Sequence, residues 1–449
     1  MIMEKRWENN LKSDDATFFG TVSVAKILLK IAPPVMLAQL IQALYNIVDS
    51  FFIGKFSDDG LTALSVIYPV QLLITAIAVG TGVGVNTYMA KLYAQGKDKE
   101  AKQAAGVGMF LALLSWVIFS LIAVFAMRPY VMTSAKSEQA MNYAVIYGLI
   151  VCVGSIGIFL ESIWTKVHQA HGNMKLPMIA QIVGAVVNIG LDPLLIFTCK
   201  LGVAGAAIAT IIGQIAAAVI VGIKGFHLPP KIRQCGEHIK QIYKLGYPSI
   251  LMQVLYTVYI IVLNIILAGF SDEAVTVLGL YYKIQSFFFI PLMGLQTCIV
   301  PVLSYNYTTQ SYDRCKKIIW ESIFIAAAFM IIGTVCFEAF PKALIGIFSQ
   351  NELTKKIGSV AFRIIGASFI PAAFSLILPT FFQAIGKSVQ SVILSLIRQL
   401  VCLIPVFYAF SFLGLNYTWV AFPVAEVVTG TIGLNLYFIL VRKWNANKL

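Results

Sequence analysis

Charge is what this chain has least of. Asp, Glu, Lys and Arg make up 12% of its 449 residues, against 59% hydrophobic residues. Soluble domains carry about 25% charged residues, so an ordinary water-exposed fold is excluded. Histidine is scarcer still, at four. Four scattered histidines do not supply the cluster near one membrane face that a polytopic membrane enzyme needs, so a non-enzyme is expected. His168 and His171 stand three apart with no further ligands nearby, which reads as a polar loop and not a metal site. The seven cysteines give no disulfide framework. Cys152, Cys298, Cys336 and Cys402 fall in apolar stretches, where a thiol packs as a small hydrophobe. Nucleotide signatures are missing as well. Gly386-Lys387-Ser388 looks like the end of a phosphate loop, but the glycine needed at 381 is Phe381. The run Gly80-Thr81-Gly82-Val83-Gly84 has no strand before it and no acidic residue after it, and reads as small residues at a close helix approach. Residues 4–15 mix both charge signs without an apolar core, so no cleavable signal peptide is expected.

What fills the chain is apolar sequence in stretches that can cross a bilayer, which takes about 20 residues each. The pattern predicts an all-α integral membrane protein of about twelve transmembrane helices. They are expected near residues 31–54, 61–88, 104–127, 139–161, 176–198, 203–223, 245–268, 275–302, 318–338, 358–381, 390–412 and 418–440. The organisation expected is a flexible cytoplasmic terminus over 1–20, a six-helix lobe over 21–224, a cytoplasmic linker over 225–244, a second lobe over 245–440 and a cytoplasmic tail over 441–449. The net charge of +13 suggests nucleic acid until its placement is considered. With both termini assigned to the cytoplasm, the outer loops hold only Lys55, Arg128, Lys136, Lys200, Lys342, Lys355 and Lys356. Lys5, Arg6, Lys12, the central Lys231, Arg233, Lys240 and Lys244, the terminal Arg442, Lys443 and Lys448 and most other basic residues fall inside. This bias orients a multi-pass protein in the inner (cytoplasmic) membrane and needs no nucleic-acid partner.

The second half repeats the first at a constant offset of 214 residues. Pro34 aligns with Pro248, Gln39 with Gln253, Tyr45 with Tyr259, Phe56-Ser57-Asp58 with Phe270-Ser271-Asp272, and Gln169-Ala170 with Gln383-Ala384. Such duplication marks secondary transporters whose halves rock about a central site. Six helices per unit is an even number, so parallel repeats with a pseudo-two-fold axis along the membrane normal are expected. The offset also shows where the halves differ. Asp49 falls on Leu263, Asn188 on Cys402, Asp192 on Val406 and Thr210 on Val424.

An ionisable group at mid-bilayer costs about 2.5–3.5 kcal/mol on insertion scales, so each one needs a reason. Asp49 lies well inside the first span. Asn188 and Asp192 lie one turn apart on the fifth, on one helix face, with Pro193 following. Two carboxylates, an amide and the Thr210 hydroxyl make an oxygen-rich set that suits Na⁺, and a pair of buried acids suits H⁺ equally. No cofactor is expected beyond that coupling ion. The second half has its own charges, Lys283, Arg363, Arg398 and Glu426, whose counterparts are Pro69, Leu149, Gly184 and Ile212. Arg398 and Glu426 sit in adjacent late spans and are candidates for a pair, with a structural and a gating role equally open. Tyr45, Tyr281, Tyr282, Phe287 and Phe288 are candidates to face flat apolar cations. Glu161 reads as a solvated helix end or a partner of Lys166.

The chain resembles the multidrug and toxic compound extrusion (MATE) family, in its prokaryotic DinF- and MepA-like branches. The resemblance lies in Ala43-Leu44-Tyr45-Asn46-Ile47-Val48-Asp49-Ser50-Phe51-Phe52-Ile53-Gly54, Gln169-Ala170-His171-Gly172-Asn173, Asn188-Ile189-Gly190-Leu191-Asp192-Pro193 and Ser304-Tyr305-Asn306-Tyr307, and it covers about residues 20–440. It implies two six-helix lobes that export cationic amphiphilic drugs in exchange for Na⁺ or H⁺ by alternating access. It also implies an ion site at Asp49, Asn188, Asp192 and Thr210, with Tyr45, Lys283, Phe287, Arg363, Arg398 and Glu426 as substrate or gating candidates. The implied partners are small drugs or toxic organic cations and membrane lipid, with no obligate protein partner and a monomeric state. The chain departs from other branches in having no acid deep in its seventh and tenth spans, where it carries Arg363. Thr308-Thr309-Gln310 also replaces the Gly-Ala often found after such a tyrosine. A lipid-linked precursor flippase of the same superfamily is the alternative. Those proteins tend to have more helices and a more cationic cavity, whereas only Lys283, Arg363 and Arg398 lie within spans here.

Overall fold

A computed structural model describes residues 19–134, 138–347 and 352–446. Most of the terminus expected over 1–20 and the end of the tail over 441–449 lie outside these residues, as do Lys5, Arg6, Lys12, Lys136 and Lys448. Among the described residues there is no strand. Ten helices are long and apolar enough to cross a membrane, and two bent helix pairs complete twelve when each is counted as one span. The expected all-α architecture of about twelve spans therefore stands.

The chain forms two compact units. The first comprises Pro33–Gln253, and the second comprises Val254–Leu449 together with Ser23–Ala32. Helix α1 (Val24–Phe56) thus changes units at its Pro33-Pro34 pair, and α8 (Ile232–Ala268) changes units shortly after Pro248. The first span was expected to begin at 31; its helix starts at Val24, so the basic stretch before it is continuous with the span. The linker expected over 225–244 is largely helix, since α8 starts at Ile232.

Packing explains that helix. In the first unit, α2 (Asp58–Ala94) carries the glycine run, and its Gly84 lies so near α8 that a Cβ there would meet Ile242 O at 2.2 Å. Gly246 on α8 is also tight, its Cβ position lying 2.6 Å from Gly80 O. Backbones in such contact gain dispersion over a long seam, which is how helices associate in lipid. The Gly80–Gly84 run is therefore a helix-packing surface. Gly84→Ala is expected to destabilise by about 1–3 kcal/mol, as overpacking does, and to lower the melting temperature of the detergent-solubilised protein. Gly279→Ala, where a Cβ meets nothing within 4 Å, is the control that should not.

The repeat is visible in the element ends. Helix α2 and helix α9 (Asp272–Thr308) start and stop at the same offset, each with a serine before it. Ser57 Oγ accepts from Gly60 N at 3.3 Å and Ser271 Oγ from Ala274 N at 3.2 Å, satisfying a donor that the helix itself leaves open. The two bent pairs also correspond. They are α4 (Glu138–Val153) with α5 (Ile156–Ala170), bent by 41°, and α12 (Glu352–Gly366) with α13 (Phe369–Ala384), bent by 53°. At each break a serine hydroxyl takes a carbonyl from the ladder: Ser155 Oγ donates to Cys152 O and Ser368 Oγ to Ile365 O, both at 2.6 Å.

Candidate functional site

In the first unit, α6 (Lys175–Pro193) lies along α7 (Val203–Gly225), and α5 packs on α7 and α2. The approach of α6 to α7 is set by two glycines. A Cβ at Gly184 would meet Gly213 O at 2.7 Å, and one at Gly213 would meet Gly184 O at 2.6 Å. That contact carries Asn188 against Thr210. Pro193 has no N–H to donate, and the chain answers with a π-helical turn over Leu194–Thr198, closed by Cys199 N donating to Leu194 O at 2.8 Å. Asp192 stands at the entrance of this turn and is fully buried.

The polar quartet is gathered as follows. Asn188 Nδ2 donates to Asp192 Oδ1 at 3.4 Å and to Thr210 Oγ1 at 3.5 Å. Asp49 on α1 is buried within coulombic range of Asp192. It lines a cleft of about 1380 Å³ together with Thr210, Tyr45, Tyr68, Gln71 and Tyr147. Three acceptor atoms here have no hydrogen-bond partner although buried: Asp49 Oδ1, Asn188 Oδ1 and Asp192 Oδ2. An unsatisfied buried acceptor costs about 1–3 kcal/mol, and oxygens concentrated in this way have the chemistry to accept a hard cation or a proton. The long amide bonds leave Asn188 free to turn its oxygen toward such a guest.

A second, smaller cavity of about 550 Å³ adjoins the first, and Gln42, Tyr45, Thr210 and Gln214 line both. Its far wall carries Glu161 and Gln181. Neither residue, nor Gln42, Gln71 or Gln214, was among the expected site residues. The available signal was spacing. Gln42, Tyr45 and Asp49 fall at i, i+3 and i+7 on α1, Gln181, Asn188 and Asp192 at i, i+7 and i+11 on α6, and Thr210 and Gln214 at i and i+4 on α7. Each set is a polar stripe on an otherwise apolar helix. Glu161 is not a solvated helix end, because α5 continues nine residues beyond it to Ala170.

The same continuation corrects the reading of the histidines as a polar loop. His168 is buried in the last turn of α5 with its Nε2 2.9 Å from Val221 O. His171, just past the helix, meets Tyr93 through a 2.8 Å contact between Nε2 and the phenol oxygen. Burial pushes the His171 imidazole down to about 4, with further repulsion from His168, His227 and Lys102, so it is neutral at neutral pH.

The remaining candidates belong to the second unit. Arg398 and Glu426 do pair. Arg398 Nε lies 3.0 Å from both carboxylate oxygens and Nη2 lies 2.6 Å from Oε1, while Ser375 Oγ donates to Oε2. Tyr259 and Tyr281 are within coulombic range of both charges. Tyr281 and Tyr282 do not form an open wall for a flat cation. Their rings, 5.0 Å apart, pack with Tyr256, Tyr259 and Phe422, the last 5.3 Å from Tyr281. Lys283, Phe287 and Arg363 are exposed in the second unit.

Known proteins place this architecture. A sequence model of MatE matches residues 34–194 and again 248–409, in step with the repeat. Multidrug export protein MepA of Staphylococcus saprophyticus is 24% identical over 98% of this chain and 99% of its own length. The protein of the same name from Staphylococcus haemolyticus is 24% identical over 98% of both. Among solved structures, a MOP superfamily transporter from Pyrococcus furiosus, for which a reverse polarity of the binding pocket suggests a different function, superposes with a TM-score of 0.90. The two share 22% identity over 96% of this chain and 99% of that one. An outward-facing multidrug resistance MATE family transporter gives 0.90 at 21% identity, over 97% and 99% of the chains. These structural likenesses concern the fold. With a family match over both halves and helices that suit repeated bilayer crossing, the chain is a multi-pass membrane protein and belongs to the MatE family.

Proposed function

We propose that this protein is a secondary multidrug exporter that moves cationic amphiphilic compounds out of the cell in exchange for Na⁺ or H⁺ by alternating access. The observation that carries the reading is the set of three partnerless acceptor oxygens of Asp49, Asn188 and Asp192 in the first unit. The names of the staphylococcal relatives support the drug as cargo. The cleft beside Asp49 offers tyrosine faces from Tyr45, Tyr68 and Tyr147 next to a carboxylate, a combination suited to flat organic cations. A drug held against Asp49 and a small cation held by Asp49 and Asp192 compete for one carboxylate. Occupation by either therefore biases the unit toward the conformation that favours it. The excess of basic residues in the loops assigned to the cytoplasm supports insertion in the cytoplasmic membrane with both termini inside. The protein acts as a monomer without a cofactor or a protein partner.

The test is efflux of a fluorescent organic cation from proteoliposomes under an imposed Na⁺ gradient or an imposed pH gradient, applied one at a time. One of the two is expected to drive export against the drug gradient. Failure of both would sink the proposal. Drive by Na⁺ with the pH gradient collapsed identifies sodium, and the converse identifies the proton.

A further inference from the structure

We propose that Glu161 is a third cation-holding carboxylate, in a chamber of its own next to the Asp49–Asp192 site, and that the coupling cation occupies it on its way to or from that site. This rests on the cation-coupled export proposed above. Glu161 faces the smaller cavity, whose other polar walls are Gln181 on α6, Asn188, Thr210, Gln214 and Tyr45. Thr165 Oγ1 donates to Glu161 Oε1 at 2.8 Å, and the Gln181 side chain also hydrogen-bonds the carboxylate. Gln181 Oε1 and Asn188 Oδ1, both on this wall, are buried without a hydrogen-bond partner. The chamber thus holds a carboxylate and two bare amide oxygens, which is a donor set for a small hard cation.

Its position makes it more than an isolated hole. Tyr45 and Thr210 line this chamber and also the cleft that holds Asp49. Tyr45 stands within coulombic range of both Asp49 and Glu161. Asn188 belongs to both sites, since its Nδ2 donates toward Asp192 while its side chain lines the chamber. The other charged neighbour of Glu161 is Lys166, one turn on along α5, whose Nζ donates to Gln169 Oε1 at 2.8 Å. Asn188, Thr210 and Tyr45 thus give polar atoms between Asp49 and Asp192 on one hand and Glu161 on the other, among apolar walls that include Ile158 and Ala185.

The measurement is the cation dependence of drug efflux in proteoliposomes, with a Na⁺ arm and a pH arm, for wild type, Glu161→Gln and Glu161→Asp. Glutamine keeps the shape and one oxygen for the Thr165 bond, while it removes the charge and the second acceptor oxygen. Its half-saturating cation concentration is expected to rise at least about tenfold, the loss of about 1.4 kcal/mol of cation affinity, with an unchanged melting temperature. Glu161→Asp keeps the charge on a shorter arm and is expected to shift that concentration severalfold while retaining coupling. A Glu161→Gln protein with the wild-type cation dependence overturns the proposal. If Glu161→Gln does not fold, a Glu161→Asp protein with an unshifted concentration overturns it too. Wild-type vesicles that show no cation-driven export would instead refute the coupled exporter itself.

Discussion

Asp49→Asn is expected to reduce cation-driven drug export to the level of protein-free vesicles while leaving the melting temperature close to that of wild type. The substitution is nearly isosteric, so the packing of α1 is kept. What goes is a formal charge on a group with a buried, partnerless Oδ1. In a medium of effective dielectric constant about 20, a carboxylate a few ångströms from a cation contributes about 4 kcal/mol, about a thousandfold in affinity. Asp192 alone does not replace it, since it supplies only one of the two carboxylates gathered here. Thr210→Val removes only a neutral oxygen and should weaken cation dependence by about tenfold or less, in line with about 1 kcal/mol for a neutral hydrogen bond. Efflux in vesicles, with melting followed in parallel, reads both variants. An Asp49→Asn protein that still exports drug uphill refutes the assignment of this residue to coupling.

The second large effect is expected at the ion pair of the other unit. Arg398→Met leaves Glu426 charged, buried and without its guanidinium, and removing one partner of such a pair costs about 3–5 kcal/mol. Glu426→Met strands Arg398 in the same way and also takes the acceptor from Ser375. The double variant Arg398→Met/Glu426→Met leaves neither charge and should recover most of the lost stability. Thermal melting of the four purified proteins closes the cycle. A double variant as unstable as the worse single one would show that the two residues do not act as a pair. A stable double variant that no longer exports drug would give the pair a transport role as well as a structural one.

This pair also shows how the repeat was put to two uses. Arg398 falls on Gly184 and Glu426 on Ile212 at the common offset. The first unit draws the two corresponding helices together with Gly184 and Gly213 and leaves acceptor oxygens bare near the contact. The second fastens its pair with a guanidinium and a carboxylate that satisfy one another. One contact leaves acceptor oxygens unpaired, and the other pairs two charges of its own.

Much of this was legible in the residues. Twelve apolar stretches of bilayer length and a gapless offset specify the helices because hydrophobic spans and duplicated packing are written locally. Asp49, Asn188, Asp192 and Thr210 stood out because charge in lipid is costly and because their counterparts are apolar. The rest depended on contacts between distant segments. Glu161 looked like a helix end because a span of bilayer length counted from 139 stops at 161, whereas the bent pair runs on to Ala170, and the surroundings of His168 follow from a carbonyl 53 residues away. Tyr281 and Tyr282 were ambiguous for the same reason. Aromatic composition does not say whether rings face a cavity or each other.

The division of α1 and α8 between the units has a consequence for biogenesis. The first unit is not complete when its own last helix, α7, has been synthesised, because it still lacks the start of α8 through Gln253. The second unit includes residues 23–32, made long before the rest of it. That early segment must wait in the membrane for partners that emerge hundreds of residues later. Two fragments cut after Gly225 would each be missing a piece held by the other, so they should assemble only when expressed together. Each half of the sequence thus carries a short segment that belongs to the compact unit of the other.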